Sequence, residues 1–192
     1  EPGGAGYMNL VLNGLTIHYS HAEDYERALE LALQTYEKNV EDHGKDHPDI
    51  LNSWSLTIIF LLKTNRNEKA LAEATRFLTV ARTLERTVDE AYAMRHLARA
   101  HLALGDVEQA WKVINDAEAQ VVEKLGEEHG ITRYVRASWA EVASAKGMHE
   151  EALAIARPLL ERNESKYGPK SRITRDVKRM IARFEKGARA GK

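Results

Sequence analysis

His43 and His47, four positions apart with Asp42, Asp46 and Asp49 beside them, form the densest set of metal-ligating side chains in the sequence. Imidazole and carboxylate together suit zinc or nickel. Gly44 and Pro48 fall inside the set and read as a turn, so the two imidazoles need not share a helix face, and no metal site is expected. His18 and His21 share a face only if the first helix continues past Ser20, while His96 and His101 flank an apolar stripe, the ordinary setting of a part-buried, hydrogen-bonded histidine. Catalytic patterns are equally thin: there is no G-x-S-x-G elbow, no phosphate-cradling glycine loop and no HExxH helix. With no cysteine, disulfides, thiolate catalysis and Cys-ligated zinc are excluded. Neither an enzyme nor a cofactor is expected. What remains is binding chemistry. Arg95 and Arg99 lie one helical turn apart and suit a carboxylate or peptide carbonyls, with Tyr92 and Tyr134 as amphipathic contact surfaces. The plainer reading makes both arginines solvated helix residues paired with nearby acids.

The elements that must position these side chains are written as a repeat. Ala28, Ala70, Ala110 and Ala152 are spaced by 42, 40 and 42 residues, each inside an apolar pattern of helical period. Turn residues precede each alanine: Glu23-Asp24, Asn65-Arg66-Asn67, Gly105-Asp106 and Gly147-Met148-His149. Sixteen positions after them stand Gly44, Arg86, Gly126 and Gly168. A repeat of this length in helical sequence means an all-α solenoid, in which stacked helix pairs present a long surface and no built-in reactive centre. The small residues are expected where helices cross, because a larger side chain there would force them apart.

The spacing predicts helices at about 7–20, 24–42, 48–63, 67–86, 90–104, 107–125, 131–146, 149–165 and 171–187. That is four pairs and a C-terminal capping helix. Gly105 and Gly147 suit left-handed helix ends, Asp106 an N-cap and Pro48 a first helical turn. Pro158 conflicts with its helix and should kink or end it near Arg157. The expected organisation is a linker or cloning scar at 1–6, one domain at 7–187 and a tail at 188–192. Within the domain the repeats run about 7–48, 49–89, 90–130 and 131–172, with the cap at 173–187.

Composition fits. Of 192 residues, 43% are hydrophobic and 30% charged, which suits exposed amphipathic helices over a continuous core and excludes a disordered chain. The longest apolar run, Ile58 to Leu62, is far short of the roughly 18 residues of a membrane span. No initiator methionine or signal-peptide pattern precedes Tyr7, so an excised domain of a larger protein is expected. The cytoplasm is the favoured compartment, although cysteine-poor exported domains share this composition. A net charge of -1 gives no bias toward nucleic acid or an anionic membrane. The ends differ, with acids predominating around Glu23 to Asp49 and bases around Arg162 to Lys186. These read as solvated faces, with head-to-tail self-association or a basic contact to an acidic partner as the sharper alternative.

The third repeat carries Leu97-Ala98, His101, Gly105, Ala110, Ile114 and Ala117 in a pattern that resembles the tetratricopeptide repeat. The first repeat supplies Leu15, Tyr19 and Ala28, and the fourth Ala140, Gly147 and Ala152. Ala32 and Ala156 stand where the family prefers a large apolar residue, Ile58 where it prefers a small one, and Arg86 in place of a glycine. The segment Gly44-Lys45-Asp46-His47-Pro48-Asp49 is similar to the Gly-x-Asp-His-Pro linker of the kinesin-light-chain type, and Gly126-Glu127-Glu128-His129 echoes it. That linker accounts for His43 and His47 better than a metal does.

The resemblance implies a right-handed α-solenoid of four helix pairs plus a cap, with the first helix of each pair lining a concave groove. On that geometry the groove would present Asn13 and Ile17, then Asn52, Ser55 and Ile59, then Tyr92, Arg95 and Arg99, then Tyr134, Ser138 and Glu141. Asn13 and Ile17 do not reproduce the carboxylate clamp of tetratricopeptide cochaperones, so a chaperone C-terminus is not the expected ligand. The implied function is a protein- or peptide-binding module of a larger signalling or scaffolding protein. The alternative is a ligand-sensing domain that controls an attached effector. Nucleic-acid binding through the basic C-terminal helix trails both, because its arginines lack interleaved aromatics. Self-association is left open.

Overall fold

The computed structural model describes residues 4–44, 47 and 50–190, with side chains from residue 11 onward. Lys45, Asp46, Pro48 and Asp49 of the linker therefore lie outside the described residues, as do residues 1–3 and 191–192. Within that range the chain forms nine α-helices and no strand: α1 Gly4–His21, α2 Tyr25–His43, α3 Ile50–Lys63, α4 Asn67–Thr83, α5 Thr87–Ala103, α6 Val107–Leu125, α7 Gly130–Ala145, α8 His149–Tyr167 and α9 Arg172–Ala190. None of the described helices is long and apolar enough to cross a membrane. The first begins at Gly4, three residues before the start expected from the apolar pattern.

The helices fall into two compact units, Glu1–Leu104 and Gly105–Lys192. The boundary divides the repeat drawn at 90–130, leaving α5 in the first unit and α6 in the second. In the first unit the core is built from Ala28, Leu29 and Ala32 of α2, Ile50, Leu51, Trp54, Ile58, Phe60 and Leu61 of α3, Ala70, Ala74 and Phe77 of α4, and Ala93 and Ala100 of α5. Ile58 is fully buried here, so the large residue at a small position is absorbed into the core. Trp54 joins core to surface: its ring lies 5.6 Å from Tyr36 and 5.5 Å from Phe77, and its indole N–H donates to Glu73 at 2.8 Å. In the second unit Ala140 and Ala143 of α7, Ala152, Leu153 and Ala156 of α8, and Met180 and Phe184 of α9 pack together. Trp111 and Trp139, 5.3 Å apart, flank that core, and Trp139 donates to Asn115 at 2.8 Å. All four repeat alanines are fully buried, as close helix approach requires.

Two kinds of turn separate the helices. Where the chain passes from the first to the second helix of a pair, one residue takes a left-handed φ: Glu23 (59°), Asn65 (57°), Gly105 (82°) and Gly147 (85°). Asp24 and Asp106 follow and accept the backbone N–H of Arg27 and Gln109 at 3.3 Å, satisfying orphan donors of α2 and α6. Between pairs, Gly44, Gly126 and Gly168 combine φ of 87°, 83° and 83° with ψ of 161°, 165° and 158°, a region closed to side chains. Arg86 lies outside α4, although the spacing places that helix at about 67–86. The helix stops earlier, at Thr83, and Leu84, Glu85 and Arg86 make a short turn in which Glu85 carries φ 52°. Arg86 then bonds Asp89 in the first turn of α5, while Arg82 reaches Glu90 at 2.8 Å.

Pro158 does not end its helix, one of the two outcomes the sequence suggests. α8 continues to Tyr167. Pro158 and Ala154 are both exposed, so the carbonyl left without its usual N–H donor belongs to the solvent side, where water can replace it.

Candidate functional site

In the first unit, the side chains expected to line a groove sit on α1, α3 and α5. Asn13, Ile17 and Asn52 are exposed, whereas Ser55, Ile59, Tyr92, Arg95 and Arg99 are half-buried. Ser55 of α3 and His96 of α5 are brought together, Oγ to Nε2 at 2.8 Å. His96 is fully buried, with Phe77 and Tyr92 stacked 6.5 and 6.4 Å from it. Burial, then the adjacent positive charges of Arg95 and Arg99, hold its pKa well below the ordinary histidine value, so the ring is neutral near pH 7. Its Nδ1 has no protein partner among the described residues.

A serine and a histidine at this distance invite a nucleophilic reading, and the surroundings do not support it. Ser55 is in the middle of α3, where backbone N–H groups are committed to the helix and cannot form an oxyanion hole. No acid orients His96 through Nδ1. The pair is therefore a buried polar tie between two helices.

In the second unit, Tyr134 is 45% exposed and Glu141 is half-buried, but Ser138 is 1% exposed and departs from the surface position expected of it. Tyr134 and Glu141 border a cavity of about 230 Å³ between α7, α8 and α9. Each helix offers one face at i, i+3, i+4, i+7 spacing: Gly130, Arg133, Tyr134 and Ala137 from α7, Leu159, Arg162, Asn163 and Lys166 from α8, and Ile173, Asp176, Val177 and Met180 from α9. Tyr167 completes the rim. Tyr134, Tyr167 and Ile173 are three of the large apolar residues that the described chain leaves exposed, and they gather here. Of this set only Tyr134 and Glu141 are expected from the sequence; Gly130, Arg133 and Ala137 share α7 with them but lie outside the expected groove positions, and the rest belong to the second helix and the cap.

The histidine cluster is simple. His43 and His47 stack with ring centroids 4.9 Å apart, and the described residues contain no group of three side chains able to hold a metal ion. His129 caps α7, its Nδ1 accepting the Ile131 N–H at 3.3 Å.

No protein-family model matches the chain, and no curated protein matches it in sequence. Solved structures do match in fold. A kinesin light chain from Podosopora anserina with nearly identical TPR-like repeats superposes with a TM-score of 0.64 at 17% identity, over 94% of this chain and 86% of that one. BtubC (BKLC) from P. vanneervenii gives a TM-score of 0.64 at 15% identity, over 99% of this chain and 79% of that one. With the paired helices, buried alanines and glycine turns, this likeness places the chain in the all-α class with a tetratricopeptide-like repeat fold.

Proposed function

We propose that this chain is a protein- or peptide-binding module of a larger signalling or scaffolding protein, and that it works by presenting side chains from the first helix of each pair. Tetratricopeptide-like neighbours support a protein-interaction module in general terms. The observation that supports a specific surface is on α5, where Tyr92, Arg95 and Arg99 are all half-buried on a framework fixed by the Ser55–His96 contact. Half-burial holds such side chains in place and so lowers the entropy lost on binding. Tyr and Arg are also the residue types that dominate binding energy at interfaces. Asn13, Asn52 and Ser55 complete the proposed contact set of the first unit, while Tyr134 and Glu141 form a separate candidate surface on the second, from which buried Ser138 is left out.

The test is a partner identified from native extract, then purified and titrated against variants. Arg95→Glu with Arg99→Glu should abolish binding with helical content unchanged. Arg175→Glu on α9, where the native side chain is exposed and donates to the Lys170 carbonyl at 3.4 Å, should be tolerated. Full binding by the α5 variant would place the contact elsewhere.

The cavity between α7, α8 and α9 favours a second reading, ligand sensing. A concave site with an apolar lining and a few convergent polar groups is the usual form of a small-molecule site.

A further inference from the structure

We propose that the cavity between α7, α8 and α9 binds a small amphiphilic carboxylate, a straight-chain or aryl-alkyl acid of about six to ten carbons. This inference rests on the ligand-sensing reading and names its ligand class. Size comes first: about 230 Å³ exceeds the roughly 150 Å³ of an apolar cavity that takes up benzene, so a short acyl or aryl-alkyl group fits. Leu159, Val177, Met180, Ile173 and Tyr134 supply an apolar wall for that group.

Charge then selects the head group. Five ionisable side chains border the cavity besides its tyrosines: Arg133, Arg162, Lys166, Glu141 and Asp176. Both acids are already matched. Arg183 lies 3.6 Å from Glu141, and Arg172 and Arg179 lie 3.8 and 3.7 Å from Asp176. The three bases are not matched in the same way. Arg133 donates to the Glu128 backbone carbonyl, Lys166 lies over the Tyr167 ring at 5.2 Å, and neither they nor Arg162 forms an ion pair among the described residues. Arg133 and Arg162 also border a second cleft that carries Glu127 and Glu128, but Glu127 is turned to Arg136 at 3.6 Å. The cavity rim thus holds cationic donors without carboxylate partners beside an apolar wall. Planar guanidinium donors match a carboxylate in a bidentate manner.

Titration of the intact chain by two-dimensional NMR with octanoate, octanol and octylammonium, each below its micelle-forming concentration, tests the assignment. Octanoate should bind most tightly, with shifts centred on 130–141, 159–167 and 173–180. The Arg162→Gln, Lys166→Gln double variant should bind octanoate about tenfold more weakly or worse, as expected for hydrogen bonds to a charged group. Ala137→Trp should block all three probes. Arg27→Gln, in the other unit, should change nothing, and matched amide spectra of the free variants exclude misfolding as the cause. If octanol or octylammonium binds as well as octanoate, or if the double variant keeps full affinity, the carboxylate assignment is overturned while a ligand cavity stands. If none of the probes binds at these residues, the ligand class and the sensing reading fall together.

Discussion

Ser55 and His96, forty-one positions apart in sequence, meet at 2.8 Å and tie α3 to α5 through a histidine that is completely buried. Burial keeps the ring neutral. In the unfolded chain His96 titrates near 6.5, whereas in the fold its pKa lies well below that value, first through burial and then through Arg95 and Arg99. Below pH 6.5 the unfolded state therefore binds more protons than the folded one, and stability falls with pH. The slope from this group approaches about 1.4 kcal/mol per pH unit until the folded pKa is reached. Urea midpoints between pH 7.5 and 5 should show this slope in the native chain and a shallower one in His96→Gln. Equal slopes would mean that the ring is not buried in its neutral form.

Ala152 sits fully buried where α8 meets α7 and α9, so Ala152→Leu should destabilise the chain by roughly 1–3 kcal/mol through overpacking. Chemical denaturation reads the change. An unmoved midpoint would refute the helix register assigned around that alanine.

Two junctions between pairs, built on different backbone conformations, predict opposite responses to exchange. Gly126 has φ 83° and ψ 165°, and a Cβ built there meets nothing within 4 Å, so Gly126→Ala isolates the backbone cost, roughly 1–3 kcal/mol of destabilisation. Glu85 holds φ 52° without being glycine, and Glu85→Gly should be neutral or stabilising by up to about 1 kcal/mol. Thermal denaturation of the two variants decides. A loss in Glu85→Gly as large as in Gly126→Ala would contradict the distinction.

Pro158 leaves the Ala154 carbonyl without its helical donor, and the missing bond is the usual source of proline's helix penalty. Pro158→Ala should raise stability by about 1–3 kcal/mol, with a matching shift in the denaturation midpoint. No gain would show that the solvated carbonyl costs little at this position.

Much of the fold is legible because its causes are local. Gly105 and Gly147 mark turns by their backbone freedom, Asp106 caps α6 through its own side chain, and the buried residues of α6, Ala110, Ile114, Ala117 and Val121, recur every three or four positions. Pro158 misleads because its effect depends on which side of the helix faces water, which periodicity around a proline does not decide. Arg86 misleads because its role comes from Asp89 and from a turn of another type. A buried threonine six residues after the turn glycine is a signal that spacing could have disclosed: Thr132 bonds the Gly126 carbonyl at 2.8 Å and Thr174 that of Gly168 at 2.9 Å. The candidate site is less legible. Arg162, Lys166 and Tyr167 look like ordinary surface residues of a second helix, and only the packing of α7, α8 and α9 gathers them at one cavity.

The short Leu84 to Arg86 connection also explains an irregular number. The alanines are separated by 42 residues except between Ala70 and Ala110, where the interval is 40, and α4 has 17 residues where α2, α6 and α8 each have 19. A chain that grows by duplicating cassettes needs matching ends. The glycine turns at 44, 126 and 168 supply such ends, whereas the junction at 84–86 does not, so transplanted or duplicated segments should be cut at the glycines and the stretch from α3 through α5 inherited as one piece.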